Sequence, residues 1–289
     1  MNEYVPQPIW PEHVWCGELP VEENVAIARD TYRLRVRCPE LARQFLPGQF
    51  LMLRLAGYDD PLLGRPLALY DTVLDPNGEP DGIEVVYLVQ GRLTSRLKTF
   101  QSGQRIGIWG PLGNGFAPRP TEHLVMVAGG IGQTPFLAVA RQALGQRQYA
   151  DRPAEPWAQH VTLCYGARSA DLLAGVEDFQ SLGIDVQIAT DDGSAGHHGL
   201  VTDLLLDLLK EHAANVRVMS CGPEPMMAAV VRTCQQFDVP CEVSLECPMA
   251  CGIGICFSCV AKLRTADGWD YRRTCLEGPV FDGCQVVFD

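Results

Sequence analysis

The feature that most restricts this chain is a change of hydrophobic pattern near residue 121. From about residue 16 to 118 the sequence runs in short alternating apolar stretches closed by turns, as in "NVAIARDTYRLRVRCP", "GQFLMLRLAG" and "QRIGIWGPLGNG". Runs of that kind predict an antiparallel barrel or sandwich, with "DPNGEPDG" as a hairpin loop. At "HLVMVAGGIGQTPFLAVARQAL" a continuous apolar strand enters a glycine turn and then a helical pattern. The strand candidates "HVTLCYGAR", "GIDVQIATDDG" and "NVRVMSCGP" follow, separated by helical stretches such as "LVTDLLLDLLKEHAA" and "EPMMAAVVRTCQQF". This alternation predicts a doubly wound parallel sheet.

The expected organisation is an N-terminal extension at 1–15, a β-barrel at 16–120, an α/β nucleotide domain at 121–240 and a small cysteine-bearing domain at 241–289. The last is too short for a core of its own, and a metal centre would supply the missing stability. "DRPAEPWAQH", 151–160, reads as a polar surface insertion.

A net charge of −12 without any basic run argues against a nucleic-acid partner. No segment approaches the roughly 18 apolar residues of a membrane span, and "MNEYVPQPIWPEHVW" has neither a basic nor an apolar leader region, so a cytoplasmic protein is expected. In a reducing compartment the 12 cysteines are ligands or core residues rather than disulfides. The scattered Cys16, Cys38, Cys164, Cys234, Cys241 and Cys284 are expected to be small buried hydrophobes.

In "CPMACGIGICFSCV", Cys251, Cys256 and Cys259 form C-x4-C-x2-C, and Cys275 follows after fifteen intervening residues. This is the plant-type spacing for a 2Fe-2S cluster. Gly252 and Gly254 suit a loop that must turn sharply and bring N–H groups toward sulfur. A zinc staple is the alternative, although zinc more naturally uses two C-x2-C knuckles and only one is present. Cys247, four residues before Cys251, is expected to be a neighbour rather than a ligand.

A one-electron cluster beside a nucleotide-type sheet calls for a flavin to couple it to two-electron chemistry. In "GRPLALYD", Arg65 could hold a pyrophosphate while the strand backbone lies against an isoalloxazine ring, or it could be a structural arginine. Gly91 and Thr94 in "YLVQGRLTSRL" stand at a predicted helix start, which is either an anion site or a capped surface helix. Gly129, Gly130, Ile131, Gly132 and Thr134 of "VAGGIGQTPF" form the strand, turn and helix start that lets backbone approach a dinucleotide, without the G-x-G-x-x-G spacing. The turn Cys221-Gly222-Pro223 would lie at the carboxyl edge of the same sheet, with Cys221 near a nicotinamide or inert in the core. Arg168 and Ser169 could meet a 2'-phosphate, or Arg168 could be a solvated loop arginine, whereas Asp191 and Asp192 favour NAD.

Taken in order, "RPLALYD", "YLVQGRLTSRL", "GPLGNGF", "VAGGIGQTPF", "TDDGSAGHHGLVTDLL", "SCGPEPMM" and the cysteine set resemble the ferredoxin reductase superfamily. Within it the chain is most similar to the electron-transfer subunits of NAD-dependent (class 1B) dihydroorotate dehydrogenases, over about residues 17 to 289. The resemblance implies an FAD-binding barrel, an NAD-binding domain and a C-terminal 2Fe-2S domain. By it, Arg65, Pro66, Leu67 and Ala68 match the flavin strand, Val86, Tyr87 and Leu88 a ring-facing strand, and Leu93 with Thr94 the pyrophosphate turn. Cys251, Cys256, Cys259 and Cys275 match the cluster ligands. Ala68 stands where a serine is usual, Leu88 where an arginine is common and Leu93 where a glycine is common, which removes polar contacts to the flavin.

The implied partner is an FMN-containing dihydroorotate dehydrogenase subunit, in a heterotetramer of two plus two, within pyrimidine biosynthesis. No residue of this chain need act as acid or base, because the chemistry belongs to the cofactors. The subunit plan also resembles that of NADH-dependent ferredoxin:NADP oxidoreductases and of sulfhydrogenases. A zinc-stapled binding protein without redox function is the reading of a different class.

Overall fold

Six strands close the first domain into a barrel, because one long strand bends enough to serve both ends of the sheet. The structure, a computed structural model, describes residues 14–288. Most of the extension expected at 1–15 therefore lies outside the described residues. Strand β1 (Trp15–Ala28) is followed by β2 (Thr31–Arg37), the short helix α1 (Pro39–Ala42), β3 (Phe50–Leu55), β4 (Arg65–Leu74), β5 (Pro80–Leu88), helix α2 (Arg92–Leu97) and β6 (Arg105–Leu112). The closed order is β1-β2-β5-β4-β3-β6. The first half of β1 pairs with β6 and the second half with β2, with a register shift between Val21 and Glu23. Such a bulge bends the strand, and closure leaves no edge to cap.

Alternate residues point inward, and Leu34, Leu53, Leu69, Val85, Tyr87 and Ile108 fill the barrel. The "DPNGEPDG" hairpin is held by Asp75, whose carboxylate accepts the N–H groups of Asn77 at 2.8 Å and Glu79 at 2.9 Å.

The second domain comprises β7 (Thr121–Gly129), α3 (Phe136–Ala143), β8 (Ala158–Ala167), α4 (Val176–Gln180), β9 (Asp185–Thr190), β10 (His197–His198), α5 (Val201–Glu211), β11 (Val216–Cys221) and α6 (Glu224–Gln236). From Leu124 onward β7 is apolar because it is buried on both faces. Leu124, Met126 and Ala128 enter one core, and Val125 and Val127 enter the other. Helix α5 buries Val201, Leu205 and Leu209, and its start is capped by Asp203, which accepts the Leu200 N–H at 2.9 Å.

Four strands complete the chain: β12 (Cys241–Ser244), β13 (Val260–Thr265), β14 (Gly268–Arg273) and β15 (Val280–Asp282). The large sheet has the order β10-β9-β8-β7-β11-β12-β15, with β15 antiparallel to β12 and its other pairs parallel. Chain order reverses between β7 and β11, and this makes a switch point at their carboxyl ends.

The segment 241–289, expected to rely on a metal centre, thus also borrows the sheet of its neighbour. Leu245, Phe281 and Val286 lie in the core that β11 and α6 share. Strands of four and three residues are too short for a pattern to reveal.

Two further expectations are corrected. Cys38, Cys164, Cys234 and Cys241 are buried, but Cys16 and Cys284 are exposed, on the outside of the barrel and in the last turn. The segment 151–160 is not wholly a surface insertion, since residues 158–160 open β8 and Trp157 lies 5.7 Å from the Arg217 guanidinium. Among the described residues no helix is long and apolar enough to cross a membrane.

The two large domains are joined by a buried ion cluster. Asp71 on β4 accepts from Arg147 at 2.9 Å and from the Tyr149 hydroxyl at 2.6 Å, and Arg141 stands 2.9 Å away. Tyr70, on the opposite face of β4, donates to Asp178 at 2.6 Å. Removing one member of a buried charge set leaves the others uncompensated. Asp71→Asn is therefore expected to lose about 3 to 5 kcal/mol of stability, read as a lower urea midpoint. A midpoint within error of the wild type would show that the cluster contributes nothing net.

Candidate functional site

The four cysteines of the sequence motif are gathered at the end of the barrel as two pairs. The sulfurs of Cys259 and Cys275 lie 3.2 Å apart, and Cys251 and Cys256 are hydrogen-bond partners. The Ile253 N–H donates to the Cys251 sulfur at 3.4 Å, and the Gly254 N–H donates to that of Cys275. The Ser258 hydroxyl pulls the Cys256 thiol down to about 6, and the hydrogen bond with Cys275 pulls Cys259 down to about 6 while the Cys275 proton is held tightly. Thiolate is the form that binds metal.

The four sulfurs thus stand two and two. A tetrahedral zinc site would need four ligands about one point, whereas two irons divide the four thiolates between them. Two pairs of sulfurs fit the two-iron group. Cys247 is half-buried beside them, its thiol 3.9 Å from the Val260 carbonyl and pushed up by burial, which keeps it protonated.

The loop is held in place by residues that the motif does not contain. Gly252, at φ +72°, lies so close to the barrel that a Cβ would stand 2.7 Å from Met52 and 3.0 Å from Leu112. Thr274 binds the Cys259 carbonyl through its N–H at 2.7 Å and its hydroxyl at 3.1 Å. Arg273 donates to the Gly254 carbonyl at 3.1 Å, pairs with Glu277 and covers the Phe257 ring at 4.9 Å. Asn114 in "GPLGNGF" donates to the carbonyls of Glu277 and Val280 and accepts the Val280 N–H. The outer rim of the loop is apolar, with Ile255 at 72% and Phe257 at 62% exposure next to the exposed Cys256.

The flavin candidates are divided by the alternation of β4 and β5. Pro66, Ala68, Val86 and Leu88 share the outer face, where Pro66, Ala68 and Leu88 remain partly open. Leu67 and Tyr87 turn into the barrel core, as does Leu93 on α2, so only their main chain is available to a ligand. Arg65 at the start of β4 is exposed, and its guanidinium donates to the carbonyls of Leu63 at 3.2 Å and Gly64 at 2.9 Å. Gly91 has open space where a Cβ would be. Thr94 accepts the N–H groups of Gln90 and Gly91, so its hydroxyl caps α2. An open apolar shelf with a solvent-facing guanidinium at one end suits a flat ring and a pyrophosphate.

The nucleotide candidates meet at the switch point, where Ala128 of β7 is the register partner of Cys221 of β11. A Cβ on Gly132 would stand 2.2 Å from the Cys221 carbonyl oxygen, and one on Gly129 2.8 Å from Pro223. Gly222, at φ +155°, lies 2.9 Å by the same measure from the Gly129 nitrogen. Gly130, at φ +54°, faces open space. Ile131 is half-buried and Thr134 buried at the entry to α3. Desolvation pushes the Cys221 thiol up to about 12, which makes it a poor nucleophile. Ser169 donates to Asp171 at 2.6 Å, and Asp192 accepts from Ser194. Arg168 is exposed and Asp191 lies in the adjacent turn.

Family models match three consecutive parts of the chain. Residues 18–116 match the oxidoreductase FAD-binding domain, 126–232 the oxidoreductase NAD-binding domain, and 246–287 the iron-sulfur cluster binding domain of dihydroorotate dehydrogenase B. The chain is 34% identical to the electron transfer subunit of dihydroorotate dehydrogenase B (NAD(+)) from Desulforamulus reducens, over 91% of this chain and 95% of that one. It is 33% identical to the same subunit from Clostridium acetobutylicum, over 93% and 96%. Among solved structures, a chain of the NADH-dependent reduced ferredoxin-NADP oxidoreductase superposes with a TM-score of 0.78 at 28% identity, covering 94% of this chain and 90% of that one. Phthalate dioxygenase reductase, at 17% identity and a TM-score of 0.60 over 86% and 87%, shares the fold.

The ligand set can be tested directly. Cys256→Ala is expected to abolish the paramagnetic signal of the reduced protein, and Cys247→Ala to retain it. Loss of the signal in the Cys247 variant would overturn the assignment.

Proposed function

This chain belongs to the family of electron transfer subunits of NAD-dependent dihydroorotate dehydrogenase B, and we propose that it links a dihydroorotate-oxidising, FMN-containing partner subunit to NAD. The observation that carries the reading is the common placement of three sites, with the paired cysteines seated on the barrel, the open shelf of β4 and β5, and the glycine crevice between β7 and β11. When bound, FAD and a 2Fe-2S cluster exchange two electrons with the nicotinamide and one at a time with the partner.

The chain supplies position and environment. Arg65 holds the FAD pyrophosphate through charge-assisted hydrogen bonds, and Pro66, Ala68 and Leu88 give the ring an apolar floor. The glycines at 129, 130 and 132 let main-chain N–H groups reach the NAD pyrophosphate. Cys251, Cys256, Cys259 and Cys275 hold the cluster, and the exposed rim of Ile255, Cys256 and Phe257 is the face that meets the partner. The pair assembles as a heterotetramer of two plus two in the cytoplasm. A sibling reading, the flavin and iron-sulfur subunit of an NADH-dependent ferredoxin:NADP oxidoreductase, is favoured by the superposition on that enzyme. It differs in the partner and leaves the sites as they are.

Two measurements test this reading. Contacts such as those of Arg65 contribute about 1.5 to 3 kcal/mol, so Arg65→Ala should weaken FAD retention by roughly one to two orders of magnitude. Dialysed variant that keeps its flavin as wild type does would refute that role. The isolated chain is expected to oxidise NADH with an artificial acceptor and to leave dihydroorotate untouched until the dehydrogenase subunit is added. Dihydroorotate turnover by the chain alone would misplace the substrate site, and no gain on adding the subunit would favour the sibling reductase.

A further inference from the structure

One indole touches both the cysteine loop and the start of the flavin strand. Trp109 lies on β6, opposite Cys16 of β1 and Met52 of β3. Ile106 and Ile108 of the same strand both point into the barrel core, whereas Trp109 packs with Phe50, Met52, Leu112 and Met249 outside the barrel. The ring N–H donates to the main-chain carbonyl of Cys251 at 2.8 Å. The far edge of the same ring reaches residue 64, where a Cβ would stand 2.9 Å from Cη2 and 2.9 Å from the Leu53 carbonyl oxygen. Gly64 directly precedes Arg65. Only a residue without a side chain lets the indole and the strand approach this closely.

We infer that Trp109 is a positioning residue that fixes the separation and orientation of the cysteine loop relative to the flavin strand. The inference rests on the placement of cluster and FAD given above. The packing of Met52 and Leu112 on Gly252 is apolar and carries no direction, so it holds the loop down without setting its rotation. A hydrogen bond from a rigid ring to the carbonyl of Cys251 does set it, because the donor is fixed by only two side-chain torsions. Electron exchange between two centres falls steeply with their separation. A residue that spans the gap therefore controls the rate without touching either reacting group.

The test uses Trp109→Phe, which keeps an aromatic ring and loses the N–H, and Trp109→Leu, which loses both contacts. Hydrogen exchange is followed in the full chain for amides 251–256 and 64–68, with the α5 amides as reference. Loss of one hydrogen bond is expected to speed exchange about tenfold at 251–256 in both variants, and at 64–68 in the leucine variant only. In cofactor-loaded protein mixed with NADH, the delay between flavin bleaching and appearance of the reduced-cluster signal is expected to lengthen about tenfold or more, with altered g-values of that signal. Wild-type exchange at 251–256 together with a wild-type delay would overturn the inference. If the leucine variant does not fold, the phenylalanine variant decides alone. If the wild-type chain holds no FAD or cluster, the reading of the sites has failed, and hydrogen exchange in the cofactor-free chain still decides whether Trp109 anchors the loop.

Discussion

The seating of the cysteine loop on the barrel wall is the contact on which the other relations depend. Gly252 lies against Met52 and Leu112, and Gly113 lies against Pro279, where a Cβ would stand 2.5 Å from the proline ring. Any side chain at these positions would push the loop outward. Met52 and Leu112 belong to strands that pair across β3 and β6, and β3 also pairs with β4. The loop, the barrel wall and the flavin strand thus form one continuous stack, and an error of packing at Gly252 propagates to each.

The second domain is placed by charge as well as by apolar fit, since Tyr70 and Val86 of the barrel share a core with Phe136 and Phe179. Asp71 and Tyr70 are consecutive residues of β4 whose side chains leave by opposite faces, one toward Arg141, Arg147 and Tyr149 and the other toward Asp178. The strand that begins with Arg65 therefore ends as the bolt between the domains. The open shelf and the bolt thus lie on one strand. Asp71 is buried and Arg141 and Arg147 beside it are half-buried, so the set tolerates neither neutralisation nor large displacement.

The parts of this arrangement that were legible in the sequence are those in which chemistry or period forces a residue type. Cysteine spacing announced the cluster, and the change from alternating to continuous apolar runs announced the two large domains. The glycine turns were legible because backbone approach excludes side chains. Trp109, Asn114, Arg273 and Asp71 were not legible, because their meaning lies in partners remote in sequence. Asn114, for example, serves Val280 at a separation of 166 residues. Nor did a matched family strand tell inward from outward. Tyr87 and Leu93 belong to the flavin segments by pattern, yet the pleat and the helix turn both into the barrel core.

The borrowed strands also bear on how the cysteine segment is closed. Ser244 and Val280 face each other across β12 and β15, so the two ends of the cysteine segment are clasped by main-chain pairing. Closing a loop costs chain entropy, and here the pairing of β12 with β15 meets that cost for the segment that carries all four cysteines, Cys251, Cys256, Cys259 and Cys275.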